Sequence, residues 1–390
     1  MLAAKKIKYS DIEKFFPLAR IQNNLKESFS GPATAPFVGR SGYPNVNAGI
    51  LSLPEQNSEA WKYDQPRLWA MQSLPIPNIV NYRFSLVNSR MKTAVKNPCR
   101  IAEIAQEIGL ASRPVDVEIN LFKKPSFNFD YEDAITPYGP TAKLKSAKLT
   151  ENPKINQQVE KVYSDVDFKA NEALKYLYAR GFDEHFLSRL LSVGGVGVKF
   201  ERKLVPTRWS ITAVDDLMGK KIISEIQDFP QSDFQISFDG YLGNYYLIIL
   251  LPQAWSYELF EIQLGEHYGS YSTDYENCFG RKDYAESTAG GYYACRLAVL
   301  EKLKERKRQT GALVFRFITN EYSVPLGVWV CREAARKSAK SQAIVFASQE
   351  EMMDYVKAFI KQRFSFDLGW FIKESKLLRE RRGQRRLGEF

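Results

Sequence analysis

Short runs of alternating apolar and polar residues, separated at irregular intervals by helical patterns, most strongly restrict the fold of this chain. Strand-like runs include residues 115–121, 234–238 and 245–251. A doubly wound parallel sheet would need a regular strand–helix alternation, which the chain does not show. The pattern therefore predicts an α+β fold, with mixed, mainly antiparallel sheet regions and packed helices.

Four further strand predictions concern segments that matter later. Residues 196–205 and 209–214 are predicted as strands, and 258–264 is predicted to pair with 245–251 across a short turn. Residues 312–319 are predicted as another strand. In contrast, residues 139–156 contain two prolines and several lysines and are predicted to form an exposed loop.

One helical pattern resembles a DNA-reading motif. Residues 101–112 look like the first helix and turn of a helix-turn-helix, after which a recognition helix should follow. Pro114 instead biases Arg113 away from the helical region, and residues 115–121 alternate like a strand. We therefore predict an amphipathic helix that leads into a strand. Other helices are predicted over residues 167–180, 215–227, 291–308, 332–340 and 349–362.

Length and charge define the expected organisation. The chain has 390 residues, 55 Lys and Arg against 45 Asp and Glu, and a formal net charge of +10. This composition is that of a globular protein with enough chain for roughly two or three domains. We predict an N-terminal region at 1–265, a C-terminal region at 266–372 and a flexible basic tail at 373–390, where seven basic residues face three acidic ones.

Apolar runs are too short for a membrane span. The longest, residues 245–251, falls far short of the ~20 residues that a spanning helix needs. Residues 1–6 show no secretory pattern. The sequence predicts a soluble cytoplasmic protein, associated with the nucleoid if it binds DNA.

Cysteine and histidine offer little chemistry. The four cysteines contain no CxxC pair, and the spacing of His267, Cys278 and Cys295 matches no compact zinc knuckle. We predict no metal site. The only other histidine, His185, lies in a short amphipathic pattern and is interpreted as structural.

Three segments combine glycine with basic or polar residues, as close approach to a phosphate requires. The first is residues 39–49, GRSGYPNVNAG, whose candidates are Arg40, Ser41, Gly42 and Asn45. A structural turn is the alternative reading of this segment.

The second segment is the Gly-rich run 192–197, followed by the candidates Lys199, Lys203, Arg208 and Trp209. A hairpin here would place Lys199, Glu201 and Lys203 on one strand face. A cation beside an indole suits a base or a sugar-phosphate. A solvated outer face is the alternative.

The third segment holds Arg281 and Lys282 before a Ser/Thr/Gly run that opens the helix predicted at 291–308. Free N–H groups at that helix start could bind an anion. The far end of this helix, residues 302–308, is also basic, and the alternative reading is that positive charge there complements the helix C-terminus.

One carboxylate arrangement invites an enzymatic interpretation. Asp183, followed by Glu201 and Lys203 on a predicted strand, fits a loose nuclease pattern in which carboxylates hold Mg²⁺. The pattern is degenerate, and Asp183 and Glu201 are the only catalytic candidates that it supplies.

Several stretches together resemble the archaeal Nre family of DNA repair proteins. They are GRSGYPNVNAG at 39–49, LVNSR at 86–90, KLVPTRWSITAVDD at 203–216, GRKDYAESTAGGYYACRL at 280–297 and PLGVWVCRE at 325–333. The resemblance covers almost the whole chain. It implies a two-region architecture, a role in the repair of damaged DNA and a C-terminal motif for the sliding clamp PCNA. The chain has no cysteine before Cys99, so the resemblance carries over no N-terminal zinc module.

The chain ends with that motif. Gln384, Leu387 and Phe390 have the Q-x-x-[aliphatic]-x-x-[aromatic] spacing of a PCNA-interacting peptide (PIP box). Residues three apart eclipse on a 3₁₀ turn, so Leu387 and Phe390 can form one apolar plug.

Three functions remain open at this stage. The first is a repair factor recruited by PCNA that binds DNA or a nucleotide through its Gly/Arg/Lys loops. The second is a metal-dependent enzyme that hydrolyses a nucleotide or DNA phosphodiesters, with Mg²⁺ or a nucleotide as cofactor. The third is a scaffold that joins PCNA to other repair proteins without touching nucleic acid.

Overall fold

The structure is a computed structural model that describes residues 25–96, 99–127, 136–265 and 268–383. Within them the chain forms two compact units. The barrel unit contains the described residues up to 218 together with 323–328, and the sheet unit contains 219–322 and the described residues from 329 onward. The regions at 1–265 and 266–372 stay a prediction. The α+β class with mixed sheets is confirmed.

The barrel unit contains five strands and most of the shorter helices. The strands are β1 Ser28–Val38, β2 Asn45–Ser52, β3 Val87–Ala94, β4 Val115–Leu121 and β5 Thr141–Leu149. The helices are α1 Pro66–Met71, α2 Ile76–Phe84, α3 Arg100–Leu110, α4 Gln157–Ser164, α5 Ala170–Tyr178, α6 Glu184–Ser192 and the first part of α7 Thr207–Ile226. Two 3₁₀ turns occur at Ala60–Asp64 and Lys199–Glu201.

The five strands close into a barrel in the order β1-β2-β3-β5-β4. β1 pairs antiparallel with both β2 and β4, and β3 pairs parallel with β5. Helix α3 connects β3 to β4, as the sequence predicts, so the helix-turn-helix is excluded. A five-stranded Greek-key barrel of this order has the topology of the OB-fold.

Alternating side chains fill the barrel. Val115, Val117, Ile119 and Leu121 of β4 are all buried, and the intervening residues are less so, which is the period of a strand with one face toward a core. Ala105 and Ile108 of α3 belong to the same core cluster. The helix therefore packs against the barrel through the face that its amphipathic pattern defines.

The sheet unit contains the remaining strands and the longer helices. The strands are β6 Phe234–Tyr241, β7 Asn244–Leu251, β8 Ser256–Gln263, β9 Tyr271–Glu276, β10 Gly311–Ile318 and β11 Ile344–Phe346. The helices are the second part of α7, α8 Ala289–Arg306, α9 Trp329–Lys340, α10 Gln349–Phe364, α11 Gly369–Glu374 and α12 Lys376–Gly383.

The six strands form one sheet in the order β11-β6-β7-β10-β8-β9. The predicted pairing of 245–251 with 258–264 is wrong, because β10 lies between β7 and β8, antiparallel to the first and parallel to the second. Every residue of β10 is buried, including Arg316, which pairs with Glu261 of β8, and the strand lies at the centre of the sheet. Aromatic and aliphatic side chains of one sheet face form a core with residues of α10, α11 and α12.

Two further predictions differ from the structure. Residues 139–156, predicted as a loop, contain β5, whose lysines alternate with buried residues. The basic tail predicted from 373 is helical up to Gly383, where Leu377 and Leu378 are buried in the sheet unit's core. The buried Glu258 carboxylate accepts the backbone N–H groups of Lys376 and Leu377 and holds the start of α12.

No helix in the described ranges is both long and apolar enough to cross a membrane.

Candidate functional site

The loop between β1 and β2 forms a tight turn that exposes its polar residues. The Tyr43 N–H donates to the Arg40 carbonyl at 3.2 Å, and the Asn45 N–H donates to the Gly42 carbonyl at 2.8 Å. Gly42 has φ +80°, and a Cβ there would lie 2.8 Å from the Asn45 carbonyl oxygen. The turn therefore needs glycine at this position. Arg40, Ser41 and Tyr43 are exposed.

The segment from α6 to α7 is not the predicted hairpin. The strand predictions for 196–205 and 209–214 are both wrong, because a 3₁₀ turn occupies Lys199–Glu201 and α7 begins at Thr207. Gly194 and Gly197 have φ of +69° and +109°, which interrupts any extended strand. Lys199, Glu201 and Lys203 consequently share no strand face.

Hydrogen bonds from the Arg202 side chain hold this segment in place of the strand-to-strand hydrogen bonds that a hairpin would have formed. Its guanidinium donates to the Gly197 carbonyl at 2.7 Å and to the Tyr163 and Asp165 carbonyls at 2.8 Å each. The guanidinium carbon also lies 5.2 Å from the centre of the Tyr163 ring. These bonds satisfy backbone acceptors that have no partner strand.

The first two glycine segments meet within the barrel unit. The Val38 N–H donates to Thr207 Oγ1 at 3.0 Å. The Val95 N–H donates to the Pro44 carbonyl at 3.0 Å, and the Leu204 N–H donates to the Val95 carbonyl at 2.9 Å. These bonds join the β1–β2 loop and the end of β3 to the segment that opens α7.

Aromatic contact completes this meeting. The Tyr43 and Trp209 ring centres are 5.1 Å apart, and the two side chains are 42% and 43% exposed. Since Val38 and Thr207 are bonded, chain geometry keeps the Arg40 and Arg208 Cα atoms within about 20 Å of each other. We call Arg40, Tyr43, Lys203, Arg208 and Trp209 the loop surface.

Sequence reasoning missed a second polar surface on the barrel. Opposite residues of β2 and β3 share a face, and this pairing brings Asn47 beside Lys92 and Gly49 beside Arg90. The parallel register places Lys143 of β5 beside Arg90. We call Asn47, Arg90, Lys92 and Lys143 the strand face. The polar residues Asn88, Arg90 and Lys92 at alternate positions were the available signal.

Asn88 adds an unusual feature next to the strand face. The residue is fully buried, and neither its amide nitrogen nor its amide oxygen has a hydrogen-bond partner among the described residues. A Cβ on Gly49 would lie 2.5 Å from Asn88 Oδ1, so the absence of a side chain on Gly49 makes room for the amide. Buried amides without partners are rare.

The third glycine segment is used within the sheet unit. Arg281 pairs with Asp274 at 3.2 Å and donates to the Tyr275, Asp283 and Tyr284 carbonyls. Asp274 Oδ2 also accepts bonds from the Thr288 N–H and hydroxyl, at 2.7 and 2.8 Å. Asp274 thus binds both Arg281 and Thr288, the residue that precedes α8. Lys282 is exposed.

The catalytic candidates are not arranged as the nuclease pattern requires. Asp183 caps α6, because its Oδ1 accepts the Phe186 N–H at 2.8 Å. Glu201 lies on the exposed 3₁₀ turn and not on a strand. Across the part of the chain that the structure describes, no three His, Cys, Asp or Glu side chains form a group that could hold a metal ion.

His185 takes part in a buried ion-pair network, in agreement with its structural interpretation. His185 Nε2 lies 2.9 Å from Asp64 Oδ2, and the Arg83 guanidinium contacts the other carboxylate oxygen at 2.5 Å. Burial opposes both charges, but His185 and Arg83 hold the pKa of Asp64 well below its usual range. Burial likewise lowers the pKa of His185, and Asp64 outweighs it, so the pKa of His185 is raised.

The clamp-motif residues Gln384, Leu387 and Phe390 lie outside the described residues.

Comparison with known proteins identifies the class. The family model for the N-terminal region of archaeal Nre proteins matches residues 5–267, and the model for the C-terminal region matches 276–390. The chain therefore belongs to the archaeal Nre family, whose curated relatives are DNA repair proteins.

Three relatives show the extent of the similarity. The DNA repair protein NreA of Haloferax volcanii is 39% identical over 80% of this chain and 78% of its own length. NreB of Archaeoglobus fulgidus is 35% identical over 96% of this chain and 95% of its own length. NreA of the same organism is 39% identical over 81% of each chain. No solved structure matches.

Proposed function

We propose that this DNA repair protein binds DNA through the loop surface and the adjoining strand face of the barrel. The observation that carries the proposal is the Tyr43–Trp209 ring pair, which joins two segments far apart in the sequence that also carry Arg40, Lys203 and Arg208. Cations supply affinity for phosphates, and exposed rings supply stacking for bases.

The barrel topology supports the same function. In OB-folds the β1–β2 loop and the face of strands 2 and 3 commonly bind oligonucleotides. Here that loop carries Arg40 and Tyr43, and that face carries Arg90 and Lys92. Fold alone does not define function, so the argument depends on these side chains and their charges.

A salt titration tests the proposal. DNA affinity should fall linearly on logarithmic axes as salt rises, with a slope of about 0.9 per phosphate contact on duplex DNA. Arg40→Ala/Lys203→Ala should reduce that slope by about two and weaken binding by about 1–3 kcal/mol. Fluorescence anisotropy with labelled DNA measures both quantities.

A matched variant controls for net charge. Lys361→Ala/Lys373→Ala removes two exposed lysines, from α10 and α11 of the sheet unit, and should leave the slope unchanged. An equal loss of affinity in the two variants would show that the overall charge attracts DNA, and the loop surface would not be the site.

We further propose that PCNA recruits the protein through Gln384, Leu387 and Phe390. The described chain ends with α12, whose start Glu258 holds, so the motif directly follows an anchored helix. Burial of Leu387 and Phe390 on a partner would contribute about 1.5–3 kcal/mol each, and an affinity on the order of micromolar is expected.

Calorimetry with the full chain and an archaeal PCNA tests recruitment. The unaltered protein should bind, whereas Leu387→Ala/Phe390→Ala should not, because the apolar plug is lost. Equal binding by both proteins would mean that the arginines of the segment act through charge alone and that the motif has no role. Other repair proteins would then be the next partners to test.

A further inference from the structure

An exposed phenylalanine lies three positions before Lys203 of the loop surface. Phe200 occupies the middle of the 3₁₀ turn Lys199–Glu201, and its side chain is 82% exposed. Burial of an aromatic side chain of this size is favourable, and this position forgoes it. Single exposed apolar residues are common on protein surfaces, so the surroundings of Phe200 have to decide its meaning.

The turn that displays Phe200 is held from several sides. The Lys199 N–H donates to the Val166 carbonyl at 2.8 Å, and the Glu201 N–H donates to the Val198 carbonyl at 2.9 Å. On the C-terminal side, the Arg202 guanidinium binds three carbonyl oxygens of neighbouring segments. The ring is therefore presented by an ordered turn with little conformational entropy left to lose on binding.

Charge around the ring selects a chemical class of ligand. Lys199 and Lys203 flank Phe200 in the sequence and are exposed. Glu201 is the acidic residue of the turn itself, and Asp165 and Asp167 are exposed beside Val166, to which the turn is bonded. Two residues lie between Phe200 and Lys203, so their Cα atoms are at most about 11 Å apart. An apolar ring between cations suits a ligand that combines flat apolar groups with an anionic backbone, and nucleic acid with unpaired bases has that combination.

Paired bases cannot satisfy this surface as well. In a continuous duplex the base faces are stacked on one another, so a protein ring reaches them only after it has opened a base step. A mismatch, gap or bubble exposes those faces in advance. Tyr43 and Trp209 present two further rings within the same unit.

We infer that Phe200 is a stacking wedge that engages unpaired bases, so that this repair protein prefers DNA with disrupted pairing over continuous duplex. The inference rests on the proposed DNA-binding function and adds the structural state of the DNA that is recognised. It assigns positions of contact and involves no covalent step.

The test compares two DNA molecules with the full-length protein. One is a labelled duplex, and the other is the same duplex with a short central unpaired stretch. Base–aromatic stacking predicts roughly fivefold to a hundredfold tighter binding of the second DNA. Phe200→Ala should abolish this preference and leave the salt slope on duplex unchanged, whereas Phe200→Trp should retain it.

Controls separate the possible failures. Phe279→Ala removes an equally exposed ring, 88% exposed, from the sheet unit and should keep the preference. If Phe200→Ala still prefers the unpaired DNA, the wedge is refuted while salt-dependent DNA binding stands. If the unaltered protein binds neither DNA, the proposed function and the wedge both fall.

A vesicle arm tests the other ligand class that an aromatic ring among lysines could serve. Sedimentation with vesicles of anionic and zwitterionic lipid should show no binding that Phe200→Ala removes. Phe200-dependent binding to the anionic vesicles would assign the ring to a membrane surface and overturn the inference.

Discussion

Each unit places an arginine near a glycine, but the arginine is exposed in the barrel unit and buried in the sheet unit. In the barrel unit, Gly42 makes the turn that leaves Arg40 exposed. In the sheet unit, Gly219 makes room for the Arg296 guanidinium, which a Cβ would approach to 2.9 Å. Arg296 and Glu276 are both fully buried and pair at 2.7 Å. Glycine beside a cation thus indicates close approach, and the approaching group can be a ligand or the protein itself.

The buried pair of the sheet unit should show the largest effect on stability. Arg296→Met leaves the Glu276 carboxylate buried without its cation, which costs about 3–5 kcal/mol. Trp255 Nε1 also donates to that carboxylate, so its position depends on the same pair. Urea denaturation measures the change.

The same helix supplies the control. Arg306→Met removes an arginine from the exposed end of α8 and should alter stability by about 0.5 kcal/mol or less. Similar losses in the two variants would show that burial does not distinguish the arginines of this helix.

In the barrel unit, a smaller loss of stability should come from replacing Gly194, which faces the Lys203 backbone. Gly194 has φ +69°, and a Cβ there would lie 2.8 Å from the Lys203 carbonyl oxygen. Gly194→Ala should therefore cost about 2–3 kcal/mol, from left-handed strain together with the collision. It should also weaken DNA binding, because Lys203 has to move.

Gly181 isolates the strain from the collision. Its φ is +87°, and nothing lies within 4 Å of a Cβ built there. Gly181→Ala should cost only about 1 kcal/mol and leave DNA affinity intact. If the two variants lose the same stability and the same DNA affinity, the collision with the Lys203 carbonyl does not contribute.

Local periodicity predicted many elements, and nonlocal contacts decided the rest. The predicted strand at 312–319 matches β10 closely, but no local pattern indicates that β10 inserts between β7 and β8. Residues 209–214 have strand-forming side chains, yet they lie inside α7, because tertiary packing overrides weak propensity. Strand β5 was not predicted, because lysines occupy its exposed positions.

The candidate site was predictable in its parts and not in its assembly. Turn chemistry identified Arg40 and Gly42, and the neighbouring cation identified Trp209. The bond from Val38 to Thr207 that joins these segments spans 169 residues and leaves no sequence signal. Arg281 looked equivalent to Arg40, but the structure directs its guanidinium to Asp274.

A smaller effect is expected in the pH dependence of the stability of the barrel unit. The pKa of His185 in the barrel unit is raised by Asp64, from an ordinary value of about 6.5. The folded state therefore binds more protons just above that pH, and stability falls as pH rises through the folded pKa. His185→Gln should remove this slope and cost about 1–2 kcal/mol below pH 6 or so.

Denaturation midpoints measured from acid to alkaline pH test this prediction. Asp64 contributes in the opposite direction, because its pKa is lowered and its stabilisation is lost as pH falls well into the acid range. A variant that keeps the slope of the unaltered protein above neutrality would mean that His185 does not produce it.

The smallest expected effects come from a pair of exposed lysines, one beside each kind of glycine segment. Lys203→Ala should reduce the salt slope of DNA binding by about one, since one phosphate contact is lost. Lys282→Ala should change neither slope nor affinity, because Arg281 and the start of α8 are already bound to Asp274 and the lysine has no prepared anion site beside it. Both residues are exposed, so neither variant should change stability by more than about 0.5 kcal/mol. Anisotropy titrations at several salt concentrations compare the two. Equal reductions of the slope in both variants would mean that the sheet unit also contacts DNA, and an unchanged slope for Lys203→Ala would mean that Lys203 contacts no phosphate.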